Sequence, residues 1–279
     1  MSALRYHKGN PLRVGLAGFG NVGQQLAPRL VAGEIPHTIL TAITANDLDK
    51  ARANAKGLSP APRIVPLSEL PEHADVIVEC ATFESFPAIA RVTVTAGKTL
   101  ICVSAGALAA NLDLIELAEK HQSVIHIATG AMPGMDILRS ARESGLKAVR
   151  LRSRMKPEAL AKEPWVQGQG FDFSTPPKEA VKVFGGSARE AAAAFPRHYN
   201  VAVTLSLSGA GLDDTRIDMW CDPVIVGAIH HVEVESEAVD LNMESRNRPS
   251  KTNKNTSQIV APSILAALRQ MVSPIRCGS

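Results

Sequence analysis

The run Leu12-Arg13-Val14-Gly15-Leu16-Ala17-Gly18-Phe19-Gly20-Asn21-Val22-Gly23 decides the fold. Its first half, apolar apart from Arg13, has the composition of a strand covered on both faces. Its second half is a G-x-G-x-x-G, and the residues from Asn21 onward predict a helix. In that setting the three glycines serve different ends. Gly18 permits the tight turn, Gly20 lets the backbone approach a pyrophosphate, and Gly23 lets helix and strand pack closely. The helix start at Asn21 and Val22 offers N–H groups and a partial positive charge to the phosphates. The plain alternative is a glycine-rich turn without a ligand, and the order strand, motif, helix counts against it. Pro28 lies inside the following helix and predicts a kink or an early ending.

Working outward, short aliphatic runs alternate with helical segments as far as Ala128, the pattern of parallel strands joined by crossover helices. The predicted strands are Leu12–Ala17, Thr38–Thr44, Asp75–Cys80, Thr99–Val103 and Val124–Ala128. A further strand at Arg63–Val65, crowded by Pro60, Pro62 and Pro66, is expected to be short or at an edge. The expected ligand is a nicotinamide dinucleotide, NAD or NADP. NAD-specific folds usually place Asp or Glu at the end of the second strand, but here the stretch reads Ile43-Thr44-Ala45-Asn46-Asp47, with Ala45 or Asn46 at that place. An uncharged residue there does not repel a 2′-phosphate, and Lys50 or Arg52 could partner one. Both could equally be solvated helix residues. The choice between the two cofactors stays open.

Beyond Gly130 the pattern becomes mixed α+β. A helix over Gly134–Glu143 leads into Lys147–Met155, where Val149, Leu151 and Ser153 alternate with Arg150, Arg152 and Arg154 as in a half-exposed strand. Pro157–Pro177, with four prolines, predicts a long loop. Helices are predicted at Ser187–Ala194 and Tyr199–Leu207, antiparallel strands at Arg216–Cys221, Ile229–Glu235 and Val239–Ser245, and a last helix at Ser257–Met271. The fold class is therefore α/β: an N-terminal Rossmann domain over 1–130, an α+β catalytic and dimerisation domain over 131–256, and a C-terminal helix within 257–279 packing back on the Rossmann domain. The edges and open face of a sheet running from Arg216 to Ser245 point to a homodimer.

At 279 residues the length suits two domains. The composition, 45% apolar, 20% charged and only 4% aromatic, excludes a disordered chain and suits an aliphatic-cored enzyme. A net charge of +3 without a block of like charges predicts neither nucleic-acid nor membrane binding and leaves room for an anionic small molecule. Cys80, Cys102, Cys221 and Cys277 form no C-x-x-C pair, so they are expected to be reduced thiols, the first three as small core residues. No metal cluster with ligand spacing is visible. Met1–Pro11 has no apolar signal-peptide core and no apolar run approaches the roughly 20 residues of a membrane span, so a cytoplasmic protein is expected.

Several segments from Ser104 onward resemble the L-aspartate dehydrogenase family, most strongly from 184 to 235. Ser104-Ala105-Gly106-Ala107-Leu108 matches the family's segment after the fifth strand, and Gly130-Ala131-Met132-Pro133-Gly134-Met135-Asp136 is similar to its G-A-I-G-G-L-D. Phe184-Gly185-Gly186-Ser187-Ala188-Arg189-Glu190-Ala191, Phe195-Pro196, Asn200-Val201-Ala202, Gly209 and Thr215 follow the family's order and spacing. Asp222-Pro223 and His230-His231-Val232-Glu233-Val234 continue the match.

The resemblance implies oxidative deamination of L-aspartate: hydride passes from the α-carbon to the nicotinamide, and water hydrolyses iminoaspartate to oxaloacetate and ammonia. The imine could also feed pyridine-nucleotide synthesis. The family's catalytic histidine, seven residues beyond the D-P pair, falls on His230, and strand alternation sends His231 to the opposite face. Imidazole titrates near neutrality unaided, as proton transfer to or from an amine or water requires. Ala131 and Asn200 are implied cofactor contacts; without the resemblance Asn200 would read as a helix N-cap. Lys156, Arg154 and Lys254 are the candidate cations for a dicarboxylate, although each taken singly is more often a solvated surface charge. The sequence departs from the family at Ala228, which replaces the asparagine of N-x-H, at His198, and across Asn253-Lys254-Asn255-Thr256-Ser257. These departures keep two alternatives in view: a related enzyme acting on another amino or imino acid, and a non-catalytic nucleotide sensor.

Overall fold

The computed structural model describes residues 6, 7, 9–195, 199–250 and 256–278. The chain divides into two compact units, Met1–Ala128 with Val260–Arg276, and Thr129–Ile259 with Cys277–Ser279.

The first unit is built on six parallel strands: β1 (Leu12–Ala17), β2 (Thr38–Thr44), β3 (Arg63–Ile64), β4 (Val76–Glu79), β5 (Thr99–Cys102) and β6 (Ile125–Ile127). Their order is β3-β2-β1-β4-β5-β6, with β3 confined to two residues at the edge. Because the order reverses between β1 and β4, a crevice opens at their carboxyl ends, where open α/β sheets bind ligands. The connections carry α1 (Asn21–Val31), α2 (Leu48–Ala55), α3 (Leu70–His73), α4 (Phe86–Thr95), α5 (Ala105–Ala109) and α6 (Asp113–Lys120). Leu12, Val14 and Leu16 of β1 are fully buried in one cluster with Leu26 and Leu30 of α1, Ile43 and Val78. Ile264, Leu265 and Leu268 of the late helix Val260–Val272 complete that cluster, and Arg269 donates to the Glu34 carbonyl at 2.8 Å.

Pro28 does not end α1, which continues to Val31, with the Ala32 N–H bonded to the Pro28 carbonyl at 2.9 Å. Proline removes one N–H from the helix, but burial of Leu26, Ala27 and Leu30 against the sheet outweighs that single loss.

Where β4 ends, Glu79 is wholly buried and its carboxylate joins two turns. Oε1 accepts from the Ala81 N–H and the Ser104 hydroxyl, each at 3.0 Å, and Oε2 from the Val103 and Ser104 N–H groups at 3.1 and 2.9 Å. The turns after β4 and β5 are thereby tied together at the crevice end of the sheet. Burial pushes the Glu79 pKa up against the pull of these bonds.

In the second unit β7 (Leu146–Met155), β8 (Val181–Ser187), β9 (Thr215–Cys221), β10 (Ile229–Ser236) and β11 (Leu241–Arg246) lie in the order β11-β10-β7-β9-β8. The helices are α7 (Met135–Glu143), α8 (Pro157–Leu160), α9 (Pro164–Gly168), α10 (Ala188–Ala194), α11 (Asn200–Ser208) and α12 (Gly211–Asp214), and the late helix of the first unit becomes α13. The segment expected to be antiparallel throughout is not: β9 runs parallel to β7 and does not adjoin β10. The ten-residue β7 is long enough to pair along both edges, so it takes the centre and separates them. β8 is absent from the sequence expectation, the adjacent glycines Gly185 and Gly186 having low strand propensity; it pairs antiparallel with β9. The expected long loop at Pro157–Pro177 also contains α8 and α9, each opened by a proline at its first turn. Trp165 of α9 packs on Phe184 and Phe195, with ring centroids 5.3 and 5.4 Å apart.

Helices α7, α10 and α11 pack on one face of this sheet. The opposite face carries paired charges, including Arg150–Glu235 at 2.5 Å and Lys182–Asp218 at 2.6 Å. Among the described residues no helix is long and apolar enough to cross a membrane.

Replacing Glu79 tests the tie between the two turns. Glu79→Gln is nearly isosteric but sets an amide NH2 against one of the N–H donors, so urea denaturation should find it destabilised by about 2–4 kcal/mol, comparably to Glu79→Ala. A glutamine variant as stable as the parent would remove the carboxylate from its organising role.

Candidate active site

The glycine loop of the first unit separates constraints of the fold from those of a ligand. Gly18 has φ +109°, and a Cβ there would lie 2.6 Å from the Cys80 carbonyl oxygen. A Cβ at Gly23 would collide with the Gly18 carbonyl. The protein's own packing therefore explains both. Gly20 is different: a Cβ would meet nothing within 4 Å, so no intramolecular contact requires glycine there. Open space at Gly20, an uncapped helix start at Asn21 and Val22, and no acidic residue in the first turn fit a bound pyrophosphate. The loop is fixed by Gly18 N–H to Thr44 O and Cys80 N–H to Ala17 O, both 2.9 Å. Cys80 donates its thiol to the Gly18 carbonyl at 3.1 Å, and burial pushes its pKa up, so it packs and does not react.

At the end of β2, Ala45 is half-buried and Asn46 exposed. The Asp47 carboxylate caps α2 by accepting from the Lys50 N–H at 2.9 Å, and Arg52 is paired with Asp49 at 2.6 Å. Lys50 has no ion pair among the described residues.

In the second unit β10 lies between β7 and β11, with His230 opposite Ser153 on one side and Ser245 on the other. Alternation gives β10 a buried face of His230, Val232, Val234 and Ser236, while His231 shares the other face with Glu233 and Glu235. His230 is 5% exposed, and its Nδ1 lies 2.9 Å from the Ser153 hydroxyl. Nε2 has no partner among the described residues. Burial lowers the His230 pKa from 6.5 to about 4, so the imidazole is neutral throughout the physiological range and does not keep the unaided value expected from sequence. His231 pairs instead with Glu233 at 3.1 Å.

Tyr199 extends the buried polar row. Burial raises the Tyr199 pKa, against the pull of the Ser153 hydroxyl beside it. Tyr199 occupies the N-cap position of α11, so Asn200 is the first helical residue and not the cap. Ala131 is held where its carbonyl accepts from Ser245 Oγ at 2.9 Å, which brings it beside the cross-strand neighbour of His230. Gly134, with φ +67°, passes so close to Met243 that a side chain would clash.

Of the three candidate cations, Arg154 is ion-paired with Asp222, which is 1% exposed, so its charge is compensated within the protein. Lys156, half-buried just beyond β7, has no side-chain partner among the described residues. Lys254 and His198 lie outside the described residues. Ser153 and Tyr199 are not among the candidates that the sequence suggests. Ser153 has a signal, a hydroxyl on the apolar side of the β7 alternation, whereas nothing local marks Tyr199.

Comparison with known proteins places these features in context. Residues 136–271 match the family model described as aspartate dehydrogenase, C-terminal, and residues 18–128 match homoserine dehydrogenase, NAD binding domain. The chain is 36% identical to L-aspartate dehydrogenase of Bradyrhizobium diazoefficiens, over 96% of this chain and 94% of that one. It is 37% identical to L-aspartate dehydrogenase 3 of Bordetella bronchiseptica, over 96% and 98%. Among solved structures, aspartate dehydrogenase from Thermotoga maritima shares the fold with a TM-score of 0.71 at 24% identity, covering 96% of this chain and 99% of that one.

The buried histidine has a measurable signature. The unfolded chain binds a proton near pH 6.5 that the folded chain refuses until about pH 4, so stability should fall as pH drops through that window and stay level above it. The loss amounts to roughly 3 kcal/mol, and His230→Gln should remove it. Parallel stability-versus-pH curves for parent and variant would contradict the neutral, buried imidazole.

Proposed function

The chain belongs to the L-aspartate dehydrogenase family, and we propose that it catalyses the NAD(P)-dependent oxidative deamination of L-aspartate to iminoaspartate, then to oxaloacetate and ammonia. The observation that carries this reading is His230: buried, neutral, held at Nδ1 by Ser153, with Nε2 left to a reacting molecule.

The nicotinamide supplies the hydride acceptor when it is bound. The residues of the chain bind, orient and handle protons. The glycine loop receives the pyrophosphate through Gly18, Gly20, Asn21, Val22 and Gly23, with Ala131 and Asn200 as the second unit's cofactor contacts. Aspartate must lose a proton from its ammonium group before a hydride can leave the α-carbon, and His230 Nε2 is assigned that proton. The same nitrogen then assists the water that hydrolyses the imine. A pKa near 4 alone would make a weak base, but the two carboxylates of a bound substrate favour the protonated imidazole and move the pKa back toward neutrality. Ser153 keeps the ring orientation fixed through this exchange, and Lys156 is assigned a substrate carboxylate.

NAD and NADP are both proposed as cofactors, because no carboxylate is free at Ala45 or Asn46 to repel a 2′-phosphate and Asp47 is engaged in capping α2. The open charged face and the edge strands β8 and β11 support a homodimer, for which light scattering should give twice the 29.6 kDa chain mass. The free thiols of Cys102 and Cys221, buried and unbridged, fit a reducing cytoplasm. The imine released could supply pyridine-nucleotide synthesis. Ala228 favours one second reading, a related amino-acid substrate, which a turnover screen with both cofactors separates.

Two substitutions test the site. His230→Ala should lower kcat for aspartate oxidation by about 10² or more while His231→Ala leaves it within a few-fold; the reverse pattern would overturn the assignment. Gly20→Val should abolish NAD(P)H binding in calorimetry yet leave thermal stability nearly unchanged, since a Cβ there meets no protein atom within 4 Å. Unimpaired binding by that variant would disprove the loop's role.

A further inference from the structure

Where the second-unit sheet ends, the last residue of β7 and residues just beyond it, before β10 and after β11 line a pocket that includes Met155, Lys156, Ala228, Asn247, Arg248 and Ser257. It continues the row that carries His230. His230 pairs with Ser153 and Ser245, so one two-residue step along each strand reaches Ala228, Met155 and Asn247 on the same face. That step is about 7 Å, within the span of a small dicarboxylate whose amine sits at His230.

The pocket is electrostatically one-sided. Two cations line it, and none of its described lining residues is acidic. Neither Lys156 nor Arg248 has a side-chain partner among the described residues, whereas Arg13, Arg91, Arg150, Arg154 and Arg189 are all ion-paired. The wall between the two is preorganised. Asn247 donates from Nδ2 to Ser245 Oγ at 3.1 Å, accepts at Oδ1 from Ser257 Oγ at 3.1 Å, and bonds the Ala228 carbonyl through its backbone N–H at 2.9 Å. A Cβ at Gly227 would strike the Asn247 carbonyl, so the turn before β10 lies tight against this wall. Ala228 has only a methyl group, where the family resemblance places an asparagine amide. Its side chain offers a substrate no hydrogen bond, whereas the Arg248 guanidinium in the same lining can donate one.

We propose that Arg248 is a specificity residue that, with Lys156, holds the second carboxylate of a dicarboxylic amino acid in this pocket. The assignment rests on the dehydrogenase reading above. A guanidinium presents paired N–H donors to a carboxylate, which an asparagine amide cannot match in charge. The contact exists equally in ground and transition states, so it acts on KM and on the choice between charged and uncharged side chains.

The test uses the full chain, its Arg248→Gln and Arg248→Lys variants, L-aspartate as substrate, and succinate as a dicarboxylate that cannot react. Arg248 is exposed, so neither variant should lose thermal stability. Arg248→Gln should raise KM for aspartate by about tenfold or more with kcat within about threefold, and should weaken succinate binding in calorimetry by a similar factor, with Arg248→Lys restoring part of both. Unchanged KM and unchanged succinate affinity in Arg248→Gln would overturn the proposal while leaving the dehydrogenase reading intact. A parent protein that binds succinate through Arg248 but oxidises no aspartate would uphold the carboxylate site and defeat the dehydrogenase reading instead.

Discussion

The buried polar cluster of the second unit depends on the register in which β10 lies between β7 and β11. Side chains of a strand alternate between faces, so a slip of one residue would bury His231 and turn His230 outward. The register is fixed by apolar pairs on the buried side: Val232 opposite Leu151 and Val234 opposite Val149, all buried. Turning Val232 and Val234 into solvent would cost several kcal/mol, more than any single histidine hydrogen bond returns. Core packing thus selects which histidine meets Ser153, and the chemistry inherits that choice.

Features encoded by local pattern are legible in the sequence. β1 and β2 occupy the predicted residues Leu12–Ala17 and Thr38–Thr44, because strands covered on both faces are continuous apolar runs bounded by turn residues. The separation of His230 from His231 is equally local, a matter of period two. What escapes depends on partners distant in sequence. Gly185-Gly186 forms strand only because β9 lies alongside, and the parallel pairing of β7 with β9 cannot be read from either segment. The pKa of His230 belongs with these, since it follows from the enclosure of the ring and not from the residues beside it in the chain.

The two faces of the second sheet handle charge in opposite ways. On the outer face arginine and lysine pair with glutamate and aspartate in exposed ion pairs, each worth little to stability but together leaving a polar surface. On the inner face the polar groups are few, buried and uncharged, and His230, Ser153 and Tyr199 lie in a medium of low polarizability. There an incoming anion exerts a far stronger field than it would in water. A neutral imidazole in such surroundings responds to substrate charge and is little affected by the bulk pH.

The first unit is not contiguous in the chain: its core is finished by Ile264, Leu265 and Leu268, which follow the whole second unit. During synthesis the nucleotide-binding sheet therefore emerges with one flank bare and waits for the last helix before it can close. The intervening unit, compact and drawn from Thr129–Ile259 with Cys277–Ser279, is synthesised almost whole before that helix appears. Loss of the last helix would then strip the dinucleotide-binding core, despite its place at the start of the sequence.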